Sequence, residues 1–246
     1  MITNQAVLYK QYNCWQVEMG KKLITQVNIH PNQNILDVGC GTGELTYLLA
    51  EKILPHGQIG AIDPDTERLN IAKENQPQTL RNIKWYNLGV ENFNELADES
   101  IDIIYSNYAM HWVNEKSKAL TKLYDLLKPK GQFIMNCIAQ YSEIVCDLEN
   151  TPEKSNTHAQ NKYPLINKNE WISLLEKHNF KILSVQSGNN CVFKHLDDFL
   201  IFWEATTHGK FRRKTLKDDH YQFMLKKYPN EIAVFGEETL NVLAVK

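Results

Sequence analysis

The chain has 246 residues, with 27 Lys+Arg against 29 Asp+Glu for a formal net charge of −2, and 43% of its residues are apolar. That composition excludes a disordered, collagenous or low-complexity chain, and its near-neutral balance speaks against a duplex nucleic-acid binder, which carries a net basic face. No stretch reaches the ~18 consecutive apolar residues of a membrane helix. The opening MITNQAVLYKQYNCWQ lacks the order of a secretory signal. Five cysteines (Cys14, Cys40, Cys137, Cys146, Cys191) are odd in number and form no Cys-x-x-Cys pair. The expected setting is therefore cytoplasmic, with reduced thiols and no metal site, while the oligomeric state stays open.

In chain order, the spacing Leu8, Tyr12, Trp15, Met19, Leu23 predicts one amphipathic helix over Gln5–Val27, within an N-terminal helical segment spanning 1–30. From 34 to 138, short β-rich apolar runs alternate with helical stretches, the pattern of an α/β fold with a doubly wound sheet. Strands are expected at Asn34–Val38, Gln58–Asp63, Ile83–Asn87, Ile101–Asn107 and Gly131–Cys137, and helices near Gly43–Leu54, Asp65–Asn75 and Glu115–Leu127. Pro129-Lys-Gly131 punctuates the last passage from helix to strand. The polar segment Asn150–Lys162 reads as a loop or lid. A helix (Lys168–His178), a strand (Lys181–Ser187), helices around Leu196–Thr206 and Leu216–Lys227, and a strand within Ile232–Val245 complete the chain. The organisation is a single domain over 1–246, with a ligand-binding core at 34–138 and a cap assembled from insertions at 140–230.

The most informative stretch is Asn34-Ile-Leu-Asp-Val-Gly-Cys-Gly-Thr-Gly-Glu44. An apolar strand runs into Gly39, Gly41 and Gly43 and then directly into a helix, so β-carbons are missing where the backbone turns sharply and a ligand must come close. A dinucleotide site needs a small residue where this chain has Glu44, and a carboxylate there would oppose a pyrophosphate at a helix N-terminus. The ligand expected is cationic or zwitterionic. Asp63 ends the next strand in Gly60-Ala-Ile-Asp-Pro-Asp65, ~20 residues after the loop, where a carboxylate can accept both hydroxyls of a ribose. A nucleoside bearing positive groups satisfies both features.

ILDVGCGTGELT, AIDPD, the strand DIIYSN and the passage LLKPKGQF resemble, in order and spacing over 34–138, the motifs of class I S-adenosylmethionine-dependent methyltransferases. The resemblance implies a seven-stranded, mostly parallel sheet with an antiparallel last strand and a helical cap, its final two strands supplied by Leu183–Gln186 and Thr239–Val245. It also implies S-adenosyl-L-methionine as cofactor. Asp37, Gly39, Cys40, Gly41, Gly43 and Asn107 would then lie beside the methionine moiety and Asp63 and Pro64 beside the ribose. The acid that many relatives place after the third strand falls here on Gly89, in Tyr86-Asn-Leu-Gly-Val-Glu91, which leaves the backbone at Gly89 and Val90 to meet the adenine edge, or Asn87 or Glu91 to take the polar role.

No amide-methylating Asn-Pro-Pro-Tyr follows the fourth strand, which reads Ser106-Asn-Tyr-Ala-Met-His-Trp112 and disfavours base or glutamine methylation. Tyr108-Ala-Met-His-Trp-Val113 and Leu8-Tyr-Lys-Gln-Tyr-Asn-Cys-Trp-Gln16 are similar to segments of juvenile hormone acid methyltransferases, with a related Gln-Trp in trans-aconitate and malonyl-carrier-protein methyltransferases. By that resemblance Gln16 and Trp112 bind an acceptor carboxylate. An amide and an indole are neutral donors that orient a carboxylate without drawing off its charge, and an acid ionised at neutral pH needs no general base. The preferred partner is a small, largely apolar carboxylic acid; for a polycarboxylate, Lys210, Arg212 and Arg213 would be the contacts. A carrier-bound acyl acid, a phenol, a tRNA group, or a non-catalytic regulatory role are the alternatives. His111 is expected to be a packed neighbour rather than a base, and Phe199, Phe202 and Trp203 core residues.

Overall fold

The computed structural model describes residues 5–149, 165–188, 190–207 and 211–246. A seven-stranded sheet of order β3-β2-β1-β4-β5-β9-β6 forms its centre. The strands are β1 (Ile35–Val38), β2 (Ile59–Ile62), β3 (Ile83–Tyr86), β4 (Ile101–Asn107), β5 (Leu127–Ile138), β6 (Lys181–Ser187) and β9 (Thr239–Val245). The first five pair in parallel, while β9 lies antiparallel between β5 and β6. Every residue of β1 and β2 is buried, as expected for parallel strands covered on both faces. The chain runs outward through β2 and β3, then returns to place β4 on the other side of β1. That reversal opens a crevice at the carboxyl ends of β1 and β4, where doubly wound sheets hold ligands. Helices α3 (Glu44–Lys52), α4 (Thr66–Glu74) and α5 (Lys116–Leu126) are the crossovers.

The single N-terminal helix expected from apolar spacing is instead two, α1 (Gln5–Tyr12) and α2 (Cys14–Ile24), broken at Asn13 with φ −83° and ψ 9°. Tertiary contact wins over periodicity here: the Asn13 amide is buried and donates to Thr42 Oγ1 at 3.2 Å, which fixes the joint against the glycine loop. Helix α2 buries Met19, Leu23 and Ile24. A β-carbon on Gly20 would stand 2.3 Å from Leu45 Cδ1 and 2.7 Å from the Tyr105 hydroxyl, so α2 packs close over the sheet only because that position is glycine. The same hydroxyl donates to Gly20 O at 3.1 Å.

Two further departures are local. Strand β5 starts at Leu127, ahead of the expected Gly131; Leu127 pairs with Ile101 and Gln132 with Ile103, so Pro129 sits in an irregularity where its missing donor is tolerated. The final segment splits, with β8 (Ile232–Val234) in a two-stranded ribbon with β7 (Cys191–Phe193), separated from β9 by Phe235 at φ 63°. The cap comprises α6 (Glu143–Glu149), which the sequence pattern did not signal, α7 (Lys168–Lys177), α8 (Leu196–Thr206) and α9 (Asp218–Lys227). Phe199, Phe202 and Trp203 are buried in a cap core with Ile144, Val145 and Phe235. The expected loop at 150–162 lies outside the described residues. Among the described residues no helix is long and apolar enough to cross a membrane, and no cluster of His, Cys, Asp or Glu could hold a metal ion.

Candidate functional site

The three glycines after β1 all have positive φ, 78° at Gly39, 55° at Gly41 and 91° at Gly43, a region that L side chains rarely occupy. Space demands glycine as well. A β-carbon on Gly39 would lie 2.1 Å from Ala109 Cβ, and one on Gly43 would lie 2.8 Å from the Tyr47 hydroxyl. The loop is tied to the next strand by Gly39 and Cys40 N–H groups donating to Ile62 O at 2.8 and 3.1 Å. Cys40 is buried, and burial, then Asp63 and Asp37, push its thiol well up.

Asp63 Oδ2 accepts from Gly41 N–H at 2.9 Å and Oδ1 from Asp65 N–H at 2.8 Å. Asp65, not Asp63, caps α4, accepting from Arg68 N–H at 3.1 Å. Asp63 thus holds the loop and stands over the crevice, with a second lone pair on each oxygen. Pro64 beside it is exposed. Asp37 on β1 is 2% exposed and accepts from the Thr46 hydroxyl at 2.6 Å. Burial lifts its carboxyl to about 7 against the pull of Thr46, and neighbouring Asp63 adds to the rise.

Helices α1 and α2 roof this loop. Tyr9, Asn13 and Gln16 line a cavity with Asp37, Gly39 and Asn107, and its volume is about 20 Å³, roughly the room of one water. Asn107 half-buries at the end of β4, donating to Gln16 O at 2.9 Å and accepting from Asn136 Nδ2 at 2.9 Å. Gln16 is 7% exposed, and its amide oxygen is buried with no hydrogen-bond partner. Thr42, Tyr105 and Arg68 also bear on this site, and the motifs did not point to them. Arg68 carried a signal in hindsight: a cation next to Leu69 and Ala72 on the buried face of α4.

Trp112 lies outside the residues lining this cavity. It is half-buried on a 3-10 turn (Met110–Trp112), packed on His111 with ring centroids 5.1 Å apart. His111 is 3% exposed, and its Nδ1 accepts from Ile138 N–H at 3.4 Å, the packed neighbour expected of it. Gly89 is half-buried and extended (φ −79°, ψ 153°), while the Val90 side chain is in the core. Arg212 and Arg213 pair with the cap's own Glu204 and Asp197 at 3.8 and 2.7 Å; Lys210 lies outside the described residues. All five cysteines are free thiols.

Residues 29–179 match the family described as Methyltransferase domain. The chain belongs to that family. Relatives of the methyltransferase include a malonyl-[acyl-carrier protein] O-methyltransferase of Priestia megaterium, 34% identical over 137 residues, 54% of this chain and 48% of that protein. A demethylmenaquinone methyltransferase of Symbiobacterium thermophilum is 28% identical over 132 residues, 53% of this chain and 51% of its own. The chain thus spans about half the length of these curated relatives. Among solved structures, a SAM-dependent methyltransferase from Aquifex aeolicus aligns over 98% of both chains with TM-score 0.61 at 18% identity. The [4+2]-cyclase SpnF aligns with TM-score 0.63 over 93% of this chain and 80% of its own at 15% identity. Those two likenesses bear on fold alone, since one fold hosts many chemistries.

Proposed function

We propose that this methyltransferase transfers a methyl group from S-adenosylmethionine to the carboxylate of a small, largely apolar organic acid. The glycine loop, with its positive φ angles and no room for β-carbons, fits the close approach of that cofactor, and Asp37, Asp63 and Glu44 suit its positive charges. Asp63 holds the ribose hydroxyls, Pro64 lies beside that ring, Gly39 to Gly43 and Asn107 hold the methionine part, and Gly89 and Val90 meet the adenine. The cofactor supplies a methyl on a positively charged sulfur, which an acceptor oxygen takes in a single displacement that leaves a neutral thioether.

The observation that carries the acceptor assignment is Gln16, a buried amide whose oxygen has no partner, on the wall of the cavity that also contains the glycine loop. A half turn about its last torsion aims either end of the amide at a ligand. Its N–H and the Trp112 indole orient the carboxylate, and the roof of α1 and α2 excludes water, which leaves the anion a stronger nucleophile. A carrier-bound acyl acid is the second reading, favoured by the malonyl-[acyl-carrier protein] relatives.

Labelled methyl transfer to fatty, terpenoid and aromatic acids, with label released by base, tests the ester; conversion of phenols or RNA alone rejects it. Gln16→Leu and Trp112→Phe are each expected to lower acceptor kcat/KM by about tenfold or more while the calorimetric affinity for S-adenosylhomocysteine holds within about threefold. Equal losses in both would make these residues structural.

The pH profile separates acceptor from cofactor. With cofactor saturating, kcat is expected to be flat from roughly pH 6 to 9, because no residue exchanges a proton with a carboxylate. Cofactor affinity is expected to fall as the pH drops below about 7, because a cation binds the ionised form of Asp37 and must displace its proton in acid. By the same linkage, the ligand-free protein loses stability as the pH rises from about 4 toward 7, since the folded state keeps a proton that the unfolded state has released. Asp37→Asn should flatten the affinity profile; an unchanged slope would assign it to another group.

A further inference from the structure

The mouth of the glycine loop is closed by groups that the transfer chemistry does not use. The Tyr9 ring of α1 rests on Gly41: a β-carbon there would meet its Cε1 at 3.5 Å and its hydroxyl at 3.8 Å. Against the same ring stands Arg68, with its guanidinium carbon 3.7 Å from the ring centroid. Arg68 is 7% exposed, and its other groups are engaged on two further elements. Nη2 donates to Ala205 O of α8 at 3.3 Å, and Nε lies 3.6 Å from the Asp65 carboxylate at the start of α4. One side chain therefore joins the roof helix, the strand-end turn that carries Asp63, and the cap.

Below the ring, the break at Asn13 provides a joint, held by its bond to Thr42, whose hydroxyl donates to Glu44 at 2.7 Å. The cavity beneath the roof measures about 20 Å³, whereas small-molecule sites span roughly 300–1,000 Å³. A nucleoside cannot reach Asp63 and the glycine loop together unless the roof lifts. Helix α2 is committed to the sheet through Met19, Leu23 and Ile24, but α1 buries only Ala6. The lighter element is the one that moves. Lifting it strips the aromatic face from Arg68 and exposes the cation to water, a change that a guanidinium tolerates well.

We propose that α1 is a gate over the cofactor chamber, jointed at Asn13, and that Arg68 is the latch that holds it closed and couples it to cap helix α8. The proposal rests on the cofactor reading above. It makes Arg68 a positioning residue whose effect appears in rates of access rather than in the strength of the closed complex.

The test is stopped-flow binding of S-adenosylhomocysteine to the full chain, followed by tryptophan fluorescence. Trp15 lies two residues past the joint and stacks 4.9 Å from Tyr108 and 5.2 Å from Phe235, so it reports the motion. Arg68→Met is expected to raise the association and dissociation rates each by about tenfold, with the dissociation constant changed by less than about threefold. Hydrogen exchange across Gln5–Tyr12 should speed up in the ligand-free variant. Arg68→Lys, which keeps the charge but loses the flat face, should recover only part of the latch. Tyr9→Leu gives a second route to the same release if the arginine variants fold poorly. A faster dissociation with an unchanged association rate would make Arg68 a wall of the site and overturn the gate. Unchanged exchange in α1 would do the same. If the wild-type chain binds no S-adenosylhomocysteine, the cofactor reading fails, and exchange in α1 alone decides the latch.

Discussion

Asp63→Asn weakens S-adenosylhomocysteine binding by about 100-fold in calorimetry, the larger of the two effects expected at this site. The change keeps the shape of the side chain and removes its charge. In the folded protein one carboxylate oxygen accepts from Gly41 N–H and the other from Asp65 N–H. An asparagine has a single accepting oxygen, so one of those amides would face an NH₂ group. Hydrogen bonds to a charged group contribute roughly 1.5–3 kcal/mol each, and two ribose hydroxyls would lose such an acceptor. Two decades of affinity is about 2.7 kcal/mol, within what those bonds can supply once non-additivity is allowed for. The asparagine variant should remain folded, because the loop keeps its ties through Gly39 and Cys40 to Ile62. An affinity within threefold of wild type would mean that the ribose is held elsewhere.

Gly39→Ala acts on the scaffold instead. Its φ of 78° costs an L residue about 1–2 kcal/mol, and its new methyl would stand 2.1 Å from Ala109 Cβ, which neither chain segment can accept without shifting. Overpacking of this kind costs about 1–3 kcal/mol. Together these predict a loss of about 2–5 kcal/mol, read as a melting temperature lower by roughly 5–15 °C for a domain of this size. The double variant Gly39→Ala/Ala109→Gly separates the causes: it should regain the contact part and leave the backbone part. A melting temperature for Gly39→Ala equal to wild type would show that the loop is looser than its geometry implies. The two substitutions therefore read different links of the chain, one the ligand's hydrogen bonds and the other the turn that makes room for them.

Much of this was written locally. The parallel strands announced themselves as short apolar runs, because strands buried on both faces need apolar side chains throughout. The glycine loop was legible because only glycine takes positive φ cheaply, and Asp63 because it follows at the end of the next strand. The cap aromatics at 199, 202 and 203 read as core, and they pack as core.

Other features depended on contacts between distant segments. Apolar spacing runs unbroken through Asn13, yet the helix breaks there because a buried amide finds Thr42, 29 residues away. Pro129 looked like the end of a connection, but β4 offers an irregular pairing that draws the strand back to Leu127. Arg68 looked like a solvated helix cation until α1 supplied a ring and α8 a carbonyl, 137 residues apart in sequence. Where conformation follows from a residue's own backbone or from burial on both faces, the amino-acid sequence alone determined it: the α/β sheet, the turn after β1 and the carboxylate beside it. Where a polar side chain had to choose a partner, only the tertiary structure decided, since a hydrogen bond or a cation over a ring depends on which surfaces the fold brings within a few ångströms.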